Sequence, residues 1–69
     1  MDVDPKLLEQ YPILQYFRYA HLPEVLQAKS RPFAELAFKT AESLPRNPET
    51  SAGLRKLLEA KDCFVRAAL

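Results

Sequence analysis

"TSAGLRKLLEAKDCFVRAAL", residues 50–69, decides the fold. Leu54, Leu57 or Leu58, Lys61, Val65 and Ala68 recur at three- and four-residue steps, the spacing of one face of an α-helix. Thr50 or Ser51 stands where an N-cap is needed. A second row, Ala60, Cys63, Phe64 and Ala67, leaves the last three turns apolar over most of their circumference. A helix of that kind is normally buried on several sides. Arg55, Glu59, Asp62 and Arg66 form the one clean polar stripe, spaced for pairs along the helix and read as a solvated face.

Upstream, "LPEVLQAKSRPFAELAFKTAESL", residues 22–44, predicts a first long helix over 22–43. Pro23 and Glu24 suit its first turn. Its apolar row is expected to run Leu22, Val25 or Leu26, Lys29, Phe33, Leu36, Thr40, Leu44. Pro32 falls inside that row, removes one backbone donor and predicts a bend there. "PRNPET", residues 45–50, reads as a turn, placed at 44–49, and the second long helix follows over 50–68. Twenty helical residues span roughly 30 Å, so two such helices on a short turn predict an antiparallel hairpin. Residues 1–20 precede it as short helical segments. Asp4 can cap and Pro5 suits the first position of one, and Pro12 starts another through "PILQYF". With one glycine and no sustained period-two alternation, the expected class is all-α, in one domain over 1–69.

A chain of 69 residues buries only about 60% of the surface its unfolded form exposes, so its own core is thin. The single Cys63 excludes an internal disulfide, and Cys63 with His21 is too few ligands for structural zinc. The remaining staple for so small a chain is self-association, through the row Ala60, Cys63, Phe64 and Ala67. The net charge of +1 divides into −1 over residues 1–23, zero over 24–44 and +2 over 45–69. That field is too weak for a duplex-DNA binder but permits a local anion site. No apolar run approaches the roughly 18 residues that would span a bilayer, and no signal-peptide pattern is present. A cytoplasmic protein without membrane partners is expected.

Nothing in the sequence spells catalysis. His21 is the only histidine, no residue pattern ties it to a nucleophile, and there is neither a phosphate loop nor metal-ligand spacing. No enzyme activity and no cofactor are expected. Lys61 interrupts the core row of the second helix. It either lays its stem over the core with its head in water, or offers a charge to an anion at a subunit junction.

"QYFRYAHLPEVLQ", residues 15–27, places Tyr16, Phe17, Arg18, Tyr19 and His21 together before the first long helix. Neighbouring rings on a helix diverge, so some of them pack inward, Phe17 foremost. Tyr19 lies at the junction into the helix, beside Arg18 and His21. A ring for stacking, a helix N-terminus and cations are what a nucleotide ligand requires.

Here "FRYAHLPEVLQAKSRPFAELA" (17–37) and "LRKLLEAKDCFVRAAL" (54–69) resemble small phage hairpin proteins, with "YAHLP", "SRPF" and "LLEAKDCFVRA" the most specific parts. These are the cyclic-nucleotide sponges of the second anti-CBASS type, whose hairpin is shared with anti-Thoeris sponges. The resemblance implies a homohexamer in the cytoplasm of the infected bacterial host. It implies binding of immune second messengers without cleavage, and so a block on CBASS effectors. Cyclic dinucleotides would sit between protomers of a dimer, and cyclic trinucleotides where protomers converge. It implies Tyr19 as the base-stacking ring and Arg31, with Lys29 and Ser30 adjacent, as the basic reach from the first long helix. Two other readings remain open: a helical hairpin that docks a partner's helix, and a weak nucleic-acid binder.

Overall fold

The computed structural model describes residues 4–69, and within them every regular element is helical. Helix α1 spans Pro5–Gln10, a 3-10 helix spans Pro12–Phe17, α2 spans Glu24–Ser43 and α3 spans Pro48–Ala67. Of the N-terminal segments expected over 1–20, residues 1–3 lie outside the described residues.

The starts of these elements follow from local chemistry. The Asp4 side chain accepts from Lys6 N at 2.9 Å, satisfying one orphan donor of α1, and Pro5 occupies the position that needs none. Pro12 opens the 3-10 helix in the same way. Helix α2 begins two residues later than the sequence predicts, at Glu24, with Pro23 as a cap that supplies no side-chain bond. Helix α3 begins two residues earlier than expected, because Asn47, not Thr50 or Ser51, is the N-cap. The Asn47 side chain accepts from Thr50 N at 2.9 Å. Thr50 Oγ1 instead donates to the Pro45 carbonyl at 2.7 Å, fixing the connector from inside the first turn of α3. Pro32 sits within α2, which runs unbroken through it.

The core is built differently from the expected row on α2. Its buried face is Leu26, Ser30, Ala34, Ala37 and Ala41, a stripe of mostly small residues, while Val25, Leu36 and Leu44 are exposed. The bulk comes from the N-terminal segments: Leu7, Tyr11, Leu14 and Phe17 are buried and form one cluster with Ala34, Ala37, Ala41 and Leu54. Small side chains on α2 admit this close approach, since interiors fill to near-crystalline density and the large partners occupy the space. On α3 the expected row holds in part. Leu54 and Lys61 are buried, Leu57, Leu58 and Val65 are half-buried, and Ala68 is exposed just past the helix end.

The two long helices pack together, and the 3-10 helix contacts both. Residues near the connector, Leu44 and Glu49, line one cleft with Leu36 and Leu57, while Phe33 meets Phe64 further along. No described helix is long and apolar enough to cross a membrane.

Candidate functional site

The segment from Tyr16 to Leu22 crosses from the 3-10 helix to α2, and two side chains hold it. Arg18 leaves the 3-10 helix with extended backbone, and a turn closes where Leu22 N donates to the Tyr19 carbonyl at 3.0 Å. Gln27, one turn into α2, reaches back. Its Nε2 donates to the Leu22 carbonyl at 2.8 Å and to the Ala20 carbonyl at 3.3 Å. From α3, Lys61 Nζ donates to the Tyr16 carbonyl at 2.9 Å. Neither Gln27 nor the Tyr16 carbonyl was legible as part of the site. Gln27 carries no periodic signal, and a backbone acceptor 45 positions from its donor leaves none at all.

Within that frame Tyr19 is half-buried and packed against the core cluster, so part of its ring is supported and part is open. Tyr16 projects outward, 60% exposed, and Phe17 is fully buried, which resolves the divergence expected of neighbouring rings. Arg18 and His21 are exposed on the same segment. Arg31, two turns into α2, is exposed. Its Nε donates to Glu35 Oε1 at 2.8 Å. That hydrogen bond and the Glu35 charge raise the Arg31 pKa further above its ordinary value, with a smaller contribution from the nearby Tyr19 phenol. Arg31 on α2 thus lies within electrostatic reach of Tyr19, which precedes that helix.

The other sequence candidates separate. Lys29 is exposed on α2. Ser30 is fully buried, and its Oγ makes no hydrogen bond among the described residues. It faces the core, not the surface that carries Lys29 and Arg31. Lys61 does not lift its head into water. The residue is 9% exposed, and its ammonium also pairs with Asp62 Oδ1 at 2.8 Å. The polar stripe is a solvated face, as its spacing suggested: Arg55, Glu59 and Arg66 are exposed and Asp62 is half-buried, with Arg66 Nη2 donating to Cys63 Sγ at 3.4 Å.

The row expected at a subunit contact is open within one chain. Cys63, Phe64 and Ala67 are exposed and Ala60 is half-buried. Phe64 is 58% exposed even though one side of its ring stacks on Phe33. The apolar cleft beside the connector holds about 230 Å³ and is lined by Leu36, Thr40, Leu44, Gly53, Leu54 and Leu57 among others. Among the described residues no three His, Cys, Asp or Glu side chains gather where they could hold a metal.

No protein-family model, curated protein or solved structure matches the chain.

Proposed function

We propose that this protein binds cyclic dinucleotide second messengers of bacterial immunity and holds them uncleaved, lowering the free concentration that reaches CBASS effectors. The observation that carries this reading is a supported, half-open ring, Tyr19, with an exposed cation, Arg31, within its electrostatic reach. A cyclic dinucleotide offers two flat bases and two phosphates. One ring and one guanidinium recognise half of it, and a two-fold related copy supplies the other half. The resemblance carried by "YAHLP", "SRPF" and "LLEAKDCFVRA" points the same way.

In this reading α2 and α3 form an antiparallel hairpin that assembles as a homohexamer built from dimers in the cytoplasm of the infected host. The exposed row around Phe64 supplies the contact, and cyclic trinucleotides take separate sites where protomers converge. Sequestration works by mass action, so it needs abundance and tight binding and no nucleophile.

Exposed Leu36, Leu44 and Phe64 favour one rival, a module that docks an apolar helix of another protein. Calorimetric titration with a cyclic dinucleotide, a cyclic trinucleotide and a short oligonucleotide separates the readings. Saturable binding of the cyclic dinucleotide, with the compound recovered intact after denaturation, supports sequestration. Stoichiometric linear product would replace it with catalysis, and silence toward all three ligands would leave the docking module.

A further inference from the structure

Lysine is a poor core residue, and Lys61 is nonetheless buried in the α3 row that carries Leu54 and Leu57. Desolvating an ammonium is costly unless it is paired and hydrogen-bonded. Asp62 Oδ1 at 2.8 Å supplies the pairing, and the Tyr16 carbonyl at 2.9 Å supplies the hydrogen bond. An unbranched apolar side chain of similar length would fill the same space. What Lys61 adds is a donor to one carbonyl.

That carbonyl stands at a decisive point in the chain. The 3-10 helix ends at Phe17, and Arg18 turns out with φ −63 and ψ 141, so the backbone beyond no longer folds back to satisfy the last carbonyls. A cation at such a helix end takes the place of the missing donors. Three residues later in the chain comes Tyr19, and beyond it the Ala20 and Leu22 carbonyls gripped by Gln27. The segment carrying Tyr19 is thus anchored once from each long helix, with the ring between the anchors.

We infer that Lys61 is a positioning residue for the aromatic segment: it fixes the Tyr16 carbonyl, and with it the direction in which Tyr19 leaves the core, without touching the ligand itself. The clamp stands on the geometry alone, whereas its consequence for binding rests on the proposed cyclic-nucleotide reading.

The test uses the whole chain, its Lys61→Met and Lys61→Arg variants, and 3′,3′-cyclic GMP–AMP as probe. In the wild type, nuclear magnetic resonance should resolve the Lys61 ammonium with slowed proton exchange and a through-bond coupling to a labelled Tyr16 carbonyl. An ammonium exchanging at the bulk rate without that coupling overturns the clamp, even if the Met variant does not fold. Lys61→Met should speed amide exchange at Tyr19–Leu22 roughly tenfold, the scale of one lost charge-assisted bond, with α2 and α3 protection kept. Lys61→Arg should restore that protection. A uniform loss across all helices would show a merely structural role and overturn the inference. Probe affinity should fall about tenfold in Lys61→Met and recover in Lys61→Arg. A loosened segment that still binds like the wild type overturns positioning. A wild type that binds no probe sinks the cyclic-nucleotide reading, and the exchange rates then decide the clamp by themselves.

Discussion

Phe64 on α3 stacks on Phe33 of α2, with ring centroids 5.6 Å apart and planes 21° from parallel, yet more than half of Phe64 stays open to solvent. One ring therefore serves the contact between the long helices and remains free on its other side. Under conditions where the chain is monomeric, Phe33→Ala and Phe64→Ala should show a coupling of about 0.5–1.5 kcal/mol in a double-mutant cycle. Strict additivity of the two losses would mean that the stack contributes nothing beyond its buried area.

The open side of Phe64, continuous with Cys63 and Ala67, is the surface expected to pair copies of the chain. Sedimentation at micromolar concentration should give a multiple of the 7.9 kDa chain mass, and Phe64→Glu should shift it to the single-chain value. Glutamate there would have to desolvate its charge at the contact, which is why the variant should dissociate. A wild type that sediments as one chain would remove the assembly from the proposed function.

Ser30 bears on both fold and site. Its hydroxyl is fully buried and makes no hydrogen bond among the described residues, so Ser30→Ala removes a desolvated polar group without opening a large cavity. The variant should be neutral to stabilising, by up to about 1–3 kcal/mol, and should bind cyclic nucleotide as the wild type does. A lower melting temperature with unchanged assembly would show that the hydroxyl has a partner in solution.

The long helices were legible from spacing and proline, and their bounds fell within two residues of expectation, although the cap of α3 is Asn47 and not Thr50 or Ser51. The face that α2 buries was not. Of the expected row Leu26, offered as the alternative to Val25, is buried, but Leu36 and Leu44 are exposed and the stripe Leu26, Ser30, Ala34, Ala37 and Ala41 lies inside. The reason is tertiary: Tyr11, Leu14 and Phe17 arrive from a separate element and need small neighbours. Tyr19 stood out in the sequence as a ring beside Arg18, His21 and a helix start, whereas Arg31 was pointed to only by the family resemblance. Gln27 and Lys61 act on backbone carbonyls, which every residue has, so no residue type announced their targets.

Gly53 lies inside α3, and a methyl group there would meet nothing within 4 Å. Its φ is negative, so alanine adopts the same backbone without strain. Gly53→Ala should stabilise the chain by about 0.5–1 kcal/mol through helix propensity and a less flexible unfolded state. For a domain of this size that is a rise of roughly 2–8 °C in melting temperature. A fall instead would mean that the concavity beside Gly53 is filled in solution and that the added methyl obstructs its occupant.

The decisive variants are at Tyr19 and Arg31. Tyr19→Leu keeps an apolar side chain against the core cluster but removes the flat face, so affinity for a cyclic dinucleotide should drop with little loss of stability. The loss expected for one stacked base is about 1–3 kcal/mol, roughly ten- to hundredfold per site. Tyr19→Phe retains the face and should bind nearly as the wild type does. Arg31→Ala should weaken binding by another route, removing a charge-assisted phosphate contact, and should flatten the dependence on salt. Glu35→Gln supplies the opposite sign. Arg31 donates to Glu35 at 2.8 Å on an exposed face, where such a pair stabilises a helix little but competes with any phosphate for the same guanidinium. Removing the carboxylate charge should leave the melting temperature nearly unchanged and tighten cyclic-dinucleotide binding. Tighter binding in Glu35→Gln that disappears when Arg31→Ala is added would assign the gain to that guanidinium. Tyr19→Leu binding like the wild type with the assembly intact would make the ring core filler, and the ligand would have to be sought away from the segment that Gln27 and Lys61 hold.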